Sequence, residues 1–143
     1  MPTVSVRLPV PVDVAYRYLA DPRNRPAWQR GLRAVEVVDD GPPRVGMRWV
    51  DVTSVGARPE LRITRLDPGE VWSEHGRWRG LEAWLALRFS AAGQGTTLLH
   101  ADVRVVGLPS WASLAATLEM LAPPAVKSDL RRAGRILAGR GPG

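Results

Sequence analysis

Apolar and polar residues alternate along Thr3–Leu8, with Val4, Val6 and Leu8 set against Ser5 and Arg7, the pattern of a half-buried strand. Pro9-Val10-Pro11 interrupts it, and Pro11 suits the start of a helix. Over Val12–Ala20 the period becomes helical, with Ala15, Tyr18 and Leu19 on one side and Asp13 in the first turn, where it complements the helix dipole. Asp21-Pro22 ends that helix, because a residue before proline avoids helical angles. Asn24–Arg30 is predicted as a second short helical turn anchored by Trp28.

The middle of the chain reads as antiparallel β. Strands are predicted over Leu32–Val38, Gly46–Val55, Pro59–Leu66, Glu70–Arg79, Leu81–Ser90 and Thr96–Val106. Asp39-Asp40-Gly41-Pro42-Pro43, Gly56, Asp67-Pro68-Gly69, Gly80 and Ala91-Ala92-Gly93-Gln94-Gly95 punctuate them. These connections are too short for crossover helices, which forces antiparallel pairing.

The last segment returns to helical spacing. Ser110 is the expected N-cap, and Trp111, Leu114, Ala115, Leu118 and Leu121 share a face. Pro123-Pro124 is expected to kink or divide the helix. Beyond it Val126, Leu130, Ala133 and Leu137 point inward and Lys127, Arg131 and Arg135 outward, and 139–143 is expected to fray. The fold class is therefore α+β: one strand, two short helices, about six more strands, and a long terminal helix. That helix is the one element able to cover the apolar face of a curved sheet, and a space can remain beneath it, open near the short helices. The 143 residues form a single expected domain (1–143).

Composition sharpens this outline at one point. The chain has six tryptophans and one phenylalanine, aromatic surface that either fills a bulky core or walls a cavity. Cysteine is absent, which removes disulfides, thiolate ligands and a cysteine nucleophile and fits a cytoplasmic protein. The N-terminus lacks the pattern of a signal peptide, and no apolar run reaches the roughly 20 residues of a membrane span. The net charge is +6, nearly all of it arginine, yet no block of five or six like charges occurs; the arginines read as a scattered solvated face. Nucleic-acid partners are not expected, since basic and aromatic residues do not interleave in an RNA-binding strand signature.

Strand parity identifies the candidate chemistry. Met47, Trp49, Asp51 and Thr53 share a face, as do Trp72, Glu74, Gly76 and Trp78. Leu61, Ile63 and Arg65 align, and Ala83, Leu85, Leu87 and Phe89 form the inward set of their strand, with Trp84 outside. Thr97, Leu99, Ala101, Val103 and Val105 are read as inward, His100, Asp102 and Arg104 as outward. Asp51 and Glu74 thus sit among tryptophans, where burial raises a carboxyl pKa and makes an acid/base catalyst. The plainer alternative is an ion pair with an arginine, Arg65 for instance, or a position at the pocket mouth. His75 is a further acid/base candidate if the parity slips by one residue; otherwise it is a surface position. His75 and His100 have no ligand-spaced carboxylate, so no metal site is expected. No phosphate-binding loop, dinucleotide fingerprint or nucleophile elbow occurs, and no cofactor is expected.

Asn24-Arg25-Pro26-Ala27-Trp28-Gln29-Arg30-Gly31 resembles the N-x-P-x-W-x-x-G stretch after the first helix of the START-like superfamily of polyketide cyclase/dehydrases and lipid-transport proteins. Gly46-Met47-Arg48-Trp49, Asp67-Pro68 and Gly95-Thr96-Thr97 resemble it at later points, so the likeness runs from Val4 to Leu137. It implies a helix-grip fold, with a curved sheet of six to seven strands around the terminal helix and a deep pocket for hydrophobic molecules. Three functions follow as expectations. The first is a binder of a small hydrophobic or aromatic molecule, acting as a monomer or homodimer. Its sheet-side lining would be Trp49, Trp72, Trp78, Leu85 and Leu87; Trp28, Trp111, Leu114, Leu118 and Met120 would close it from the helices. The second is a cofactor-independent cyclase/dehydratase using Asp51, Glu74 and His75. The third is an interaction module working through Arg131 and Arg135.

Overall fold

A computed structural model describes residues 3–140. The chain forms β1 (Thr3–Leu8), α1 (Val12–Leu19), a 3-10 turn (Pro22–Asn24), α2 (Arg25–Trp28), and then β2 (Leu32–Val37), β3 (Arg48–Thr53), β4 (Glu60–Asp67), β5 (Val71–Trp78), β6 (Leu81–Ala91) and β7 (Thr97–Gly107). A second 3-10 turn (Pro109–Trp111) leads into α3 (Ala112–Gly139). The seven strands make one antiparallel sheet in the order β1-β7-β6-β5-β4-β3-β2. The helix-grip fold expected from the sequence is present.

Local chemistry accounts for the boundaries. Asp21 caps the first 3-10 turn, its carboxylate accepting the Arg23 amide at 3.0 Å. Gly69, at φ +75°, completes the turn in which Glu70 N–H donates to Asp67 O at 2.9 Å. At the β5–β6 hairpin the left-handed residue is Arg79 (φ +53°), and its guanidinium stacks 4.8 Å from the Trp78 ring centroid. The adjoining Gly80 meets a different demand, since a Cβ there would lie 2.2 Å from the Trp111 indole.

The core lies between the sheet and the second half of α3. Leu130, Ala133 and Leu137 are buried against Leu8, Leu19, Leu99 and Ala101 in one hydrophobic cluster. Gly134 allows the helix to approach β1, because a Cβ would meet the Leu8 side chain at 3.0 Å. The first half of α3 is different: from Ala112 to Ala122 only Ala115 is buried. This half is mostly exposed and roofs a cavity.

Four sequence expectations change here. Pro123 and Pro124 lie inside a single continuous α3, so they do not divide it. Ser110 does not cap that helix; it sits within the 3-10 turn, and the cap position is Trp111, with no side-chain hydrogen bond. Arg65 leaves the inward face of β4, because the β4–β5 register shifts between Ile63 and Arg65, and its Nε donates to Asp67 at 2.7 Å on the exposed side. Of the expected frayed tail, Gly139 is helical and 141–143 lie outside the described residues.

Candidate functional site

The space under α3 is a cavity of about 520 Å³. Its roof is Leu118, Leu121, Ala122, Ala125 and Val126 of α3, and its floor includes Leu61, Trp78, Ala83, Leu85, Val103 and Val105. Trp28 and Gln29 close one end from α2. Room on the floor comes from small residues: Gly76 pairs with Ala83 across β5–β6, and Ala83 with Val105 across β6–β7. A Cβ at position 76 would press on the Leu61 side chain, only 3.2 Å away.

At the α2 end the apolar wall is interrupted by one charged cluster. Arg25 on α2, Asp51 on β3 and Glu74 on β5 are all buried. Arg25 Nη2 donates to Asp51 Oδ2 at 3.0 Å and to Glu74 Oε1 at 3.4 Å, and Nη1 lies 2.9 Å from Glu74 Oε2. Trp49 Nε1 donates to Asp51 Oδ1 at 3.0 Å, and the Arg25 guanidinium sits 5.3 Å from the Trp49 ring centroid. One cation thus serves two carboxylates in a nearly dry setting, where an unpaired charge costs several kcal/mol, on the order of 3–5 kcal/mol for a broken pair.

The electrostatics of the three groups differ. Burial pushes the Glu74 carboxyl up to about 7; Arg25 pulls it down and Asp51 adds to the rise. Burial opposes the Arg25 charge, but Glu74 and Asp51 outweigh it and the guanidinium is held in its charged form. Asp51 accepts from both Arg25 and Trp49, which commits both of its oxygens.

The residues singled out from the sequence divide into three groups. Asp51, Glu74, Trp28, Trp78, Leu85 and Leu118 reach the cavity wall together. Trp49, Trp72 and Leu87 lie on the inner face but are wholly buried beneath it, with the two indoles 6.5 Å apart between centroids. The remaining four are elsewhere. His75 keeps the original parity and points to the outer face, where its Nε2 pairs with Glu82 Oε1 at 3.0 Å and its ring packs 4.9 Å from that of Trp84. Trp111 packs edge-on against Trp78 at 6.1 Å, at the end of the sheet, while Leu114 and Met120 are exposed and outside the cavity lining.

Arg25 is the member that the sequence pattern did not single out. The signal was present: two inward carboxylates demand a buried cation, and Arg25 sits three residues before Trp28, on the same side of the short helix that closes that end. Gln29, Ala57, Pro59 and the roof residues Ala122 and Ala125 were also missed, being small or loop positions without a periodic signature. Among the described residues no group of three or more histidines and carboxylates is placed to hold a metal ion, and no helix is long and apolar enough to cross a membrane.

Residues 2–140 match the family described as polyketide cyclase/dehydrase and lipid transport, and the chain belongs to it. Solved structures share the fold at low identity. A START superfamily protein from Mycobacterium smegmatis superposes with a TM-score of 0.79 at 10% identity, covering 96% of this chain and 97% of its own. The Zhui aromatase/cyclase from Streptomyces sp. R1128 gives 0.78 at 15% identity, covering 99% and 95%. The protein XoxI from Bacillus cereus gives 0.75 at 8% identity, covering 99% and 98%. No curated protein matches the chain in sequence.

Proposed function

We propose that this protein binds a small hydrophobic or aromatic molecule between the sheet and the first half of α3. The observation that carries the reading is the cavity itself: about 520 Å³, walled by Leu61, Trp78, Leu85, Leu118 and Leu121, with one buried charged cluster at the α2 end. Sites of this kind bury most of an apolar ligand and orient it by a few convergent polar groups. Membership of the lipid-transport and cyclase family fits the same reading. Binding of a two-ring aromatic should raise the melting temperature in proportion to the logarithm of ligand concentration and change the tryptophan emission. If neither changes up to the solubility limit of the ligand, the reading fails.

A second reading rests on Glu74. A carboxyl near pKa 7 on the wall of an apolar cavity is matched to proton transfer at neutral pH. In cofactor-independent loss of water from a β-hydroxy ketone, its carboxylate would take a proton from the carbon beside the ligand carbonyl as the C=C bond forms and the C–O bond breaks. The resulting acid would return that proton to the leaving oxygen, which departs as water. Asp51 would act through Arg25, with its own oxygens already engaged. The similarity to an aromatase/cyclase makes polyketone substrates the class to assay. Glu74→Gln retaining full turnover on such a substrate would remove the residue from the mechanism.

A further inference from the structure

The sign of the charge on the cavity wall is opposite to that of the chain. The chain carries +6, whereas the charged side chains that face the cavity are Arg25 against Asp51, Glu74 and Asp129. Arg77 and Glu82, 3.9 Å apart, also border it, but they stand on the strand face that carries His75 and do not point in. Asp129 accepts the Arg30 amide at 3.4 Å at another part of the wall. The buried end is left with one guanidinium and two carboxylates, each with less than a tenth of its side chain exposed. Arg25, from α2, and Asp51, from β3, are the charged groups facing Glu74 there.

An anion arriving at this end meets a cation already matched by two carboxylates. Its hydration is lost, and what the Arg25 Nε and Nη1 hydrogens, which lack well-aligned acceptors, can return is opposed by two adjacent carboxylates. A hydroxyl meets the opposite situation, because it can donate to a carboxylate without bringing charge. Resting on the binding reading above, we propose that the cavity selects uncharged ligands whose inner end carries a hydroxyl, and that the Arg25–Asp51–Glu74 cluster excludes carboxylates of the same shape.

The matched pair 2-naphthol and 2-naphthoate isolates charge from shape. Calorimetric titration about one pH unit above the Glu74 value of about 7 should give 2-naphthol an affinity at least about tenfold higher. Asp51→Asn and Glu74→Gln each remove one negative charge, and both should narrow or reverse the preference. Wild-type protein titrated about one unit below the Glu74 value should show the same narrowing without any substitution, so the test survives a variant that fails to fold. Equal affinity of the wild type for both ligands overturns the proposal, as does a preference that neither variant nor pH moves, which would assign it to shape. Binding of neither ligand overturns the binding reading itself, a result distinct from equal binding of both.

Discussion

Arg25 Nη1 and Glu74 Oε2 lie 2.9 Å apart, joining a four-residue helix to the middle of the sheet across a gap of 49 positions in sequence. The same guanidinium holds Asp51, so α2, β3 and β5 are tied at one buried point that is also the polar end of the cavity. Arg132 adds a second tie, its Nε donating to Ala27 O at 3.0 Å, and brings α3 onto the end of α2.

Replacing Arg25 with methionine keeps much of its bulk but leaves two carboxylates buried without a cation. The expected loss of folding stability is about 3–5 kcal/mol at neutral pH. Urea unfolding should show that loss shrinking as pH falls and the carboxylates take up protons. A variant as stable as the wild type at neutral pH would show that the cluster is solvated in solution.

Glu74 makes wild-type stability depend on pH in a defined sense. Its folded-state pKa, about 7, lies above the ordinary value of 4.5, so between these values the native state binds more protons than the unfolded chain. Stability is therefore greatest on the acid side of this window and falls as pH rises through it, by on the order of 3 kcal/mol if no other group compensates. Glu74→Gln should flatten that slope in unfolding curves recorded across the window.

The junction before α3 is packed around Trp111. A Cβ at Gly107 would lie 2.7 Å from the Trp111 carbonyl oxygen, a backbone atom that cannot turn aside. Gly107→Ala should cost about 1–3 kcal/mol through overpacking. Because Trp111 packs against Trp78 on the cavity floor, the substitution should also shift tryptophan emission.

Glu119 holds the exposed half of α3 to the sheet, accepting the Val105 amide at 3.0 Å. That amide belongs to the part of β7 beyond its pairing with β1, which among the described residues reaches Asp102. Pro123 and Pro124 remove two helix donors immediately after this half. Glu119→Ala should cost about 1 kcal/mol and speed hydrogen exchange in 112–122, with little effect on 126–138.

Periodicity and turn chemistry were enough to read the architecture. Alternation located all seven strands, and the inward positions Leu130, Ala133 and Leu137 of α3 follow from helical spacing alone. Parity also placed Asp51 and Glu74 correctly beside the aromatic wall. The failures have physical causes. A register shift after Ile63 turned Arg65 outward, and no local residue pattern announces such a shift. Trp49 and Trp72 share a face with the cavity residues, but they are covered within the hydrophobic cluster, and which inward side chains are covered is a tertiary quantity. Leu114 and Met120 lie on the exposed part of a helix whose first half packs on little, so an apolar side chain there does not imply a buried one.

The central claim is that the space beneath α3 is where a ligand sits. Ala83 faces that space opposite Gly76, so Ala83→Trp places an indole in the cavity while the neighbouring strand leaves room for it. Calorimetric titration of 2-naphthol into the wild type and this variant tests the claim most directly. One-to-one binding by the wild type, abolished in an Ala83→Trp protein that melts no lower, is the expected result. Equal binding by both proteins, or no binding by the wild type, would contradict it.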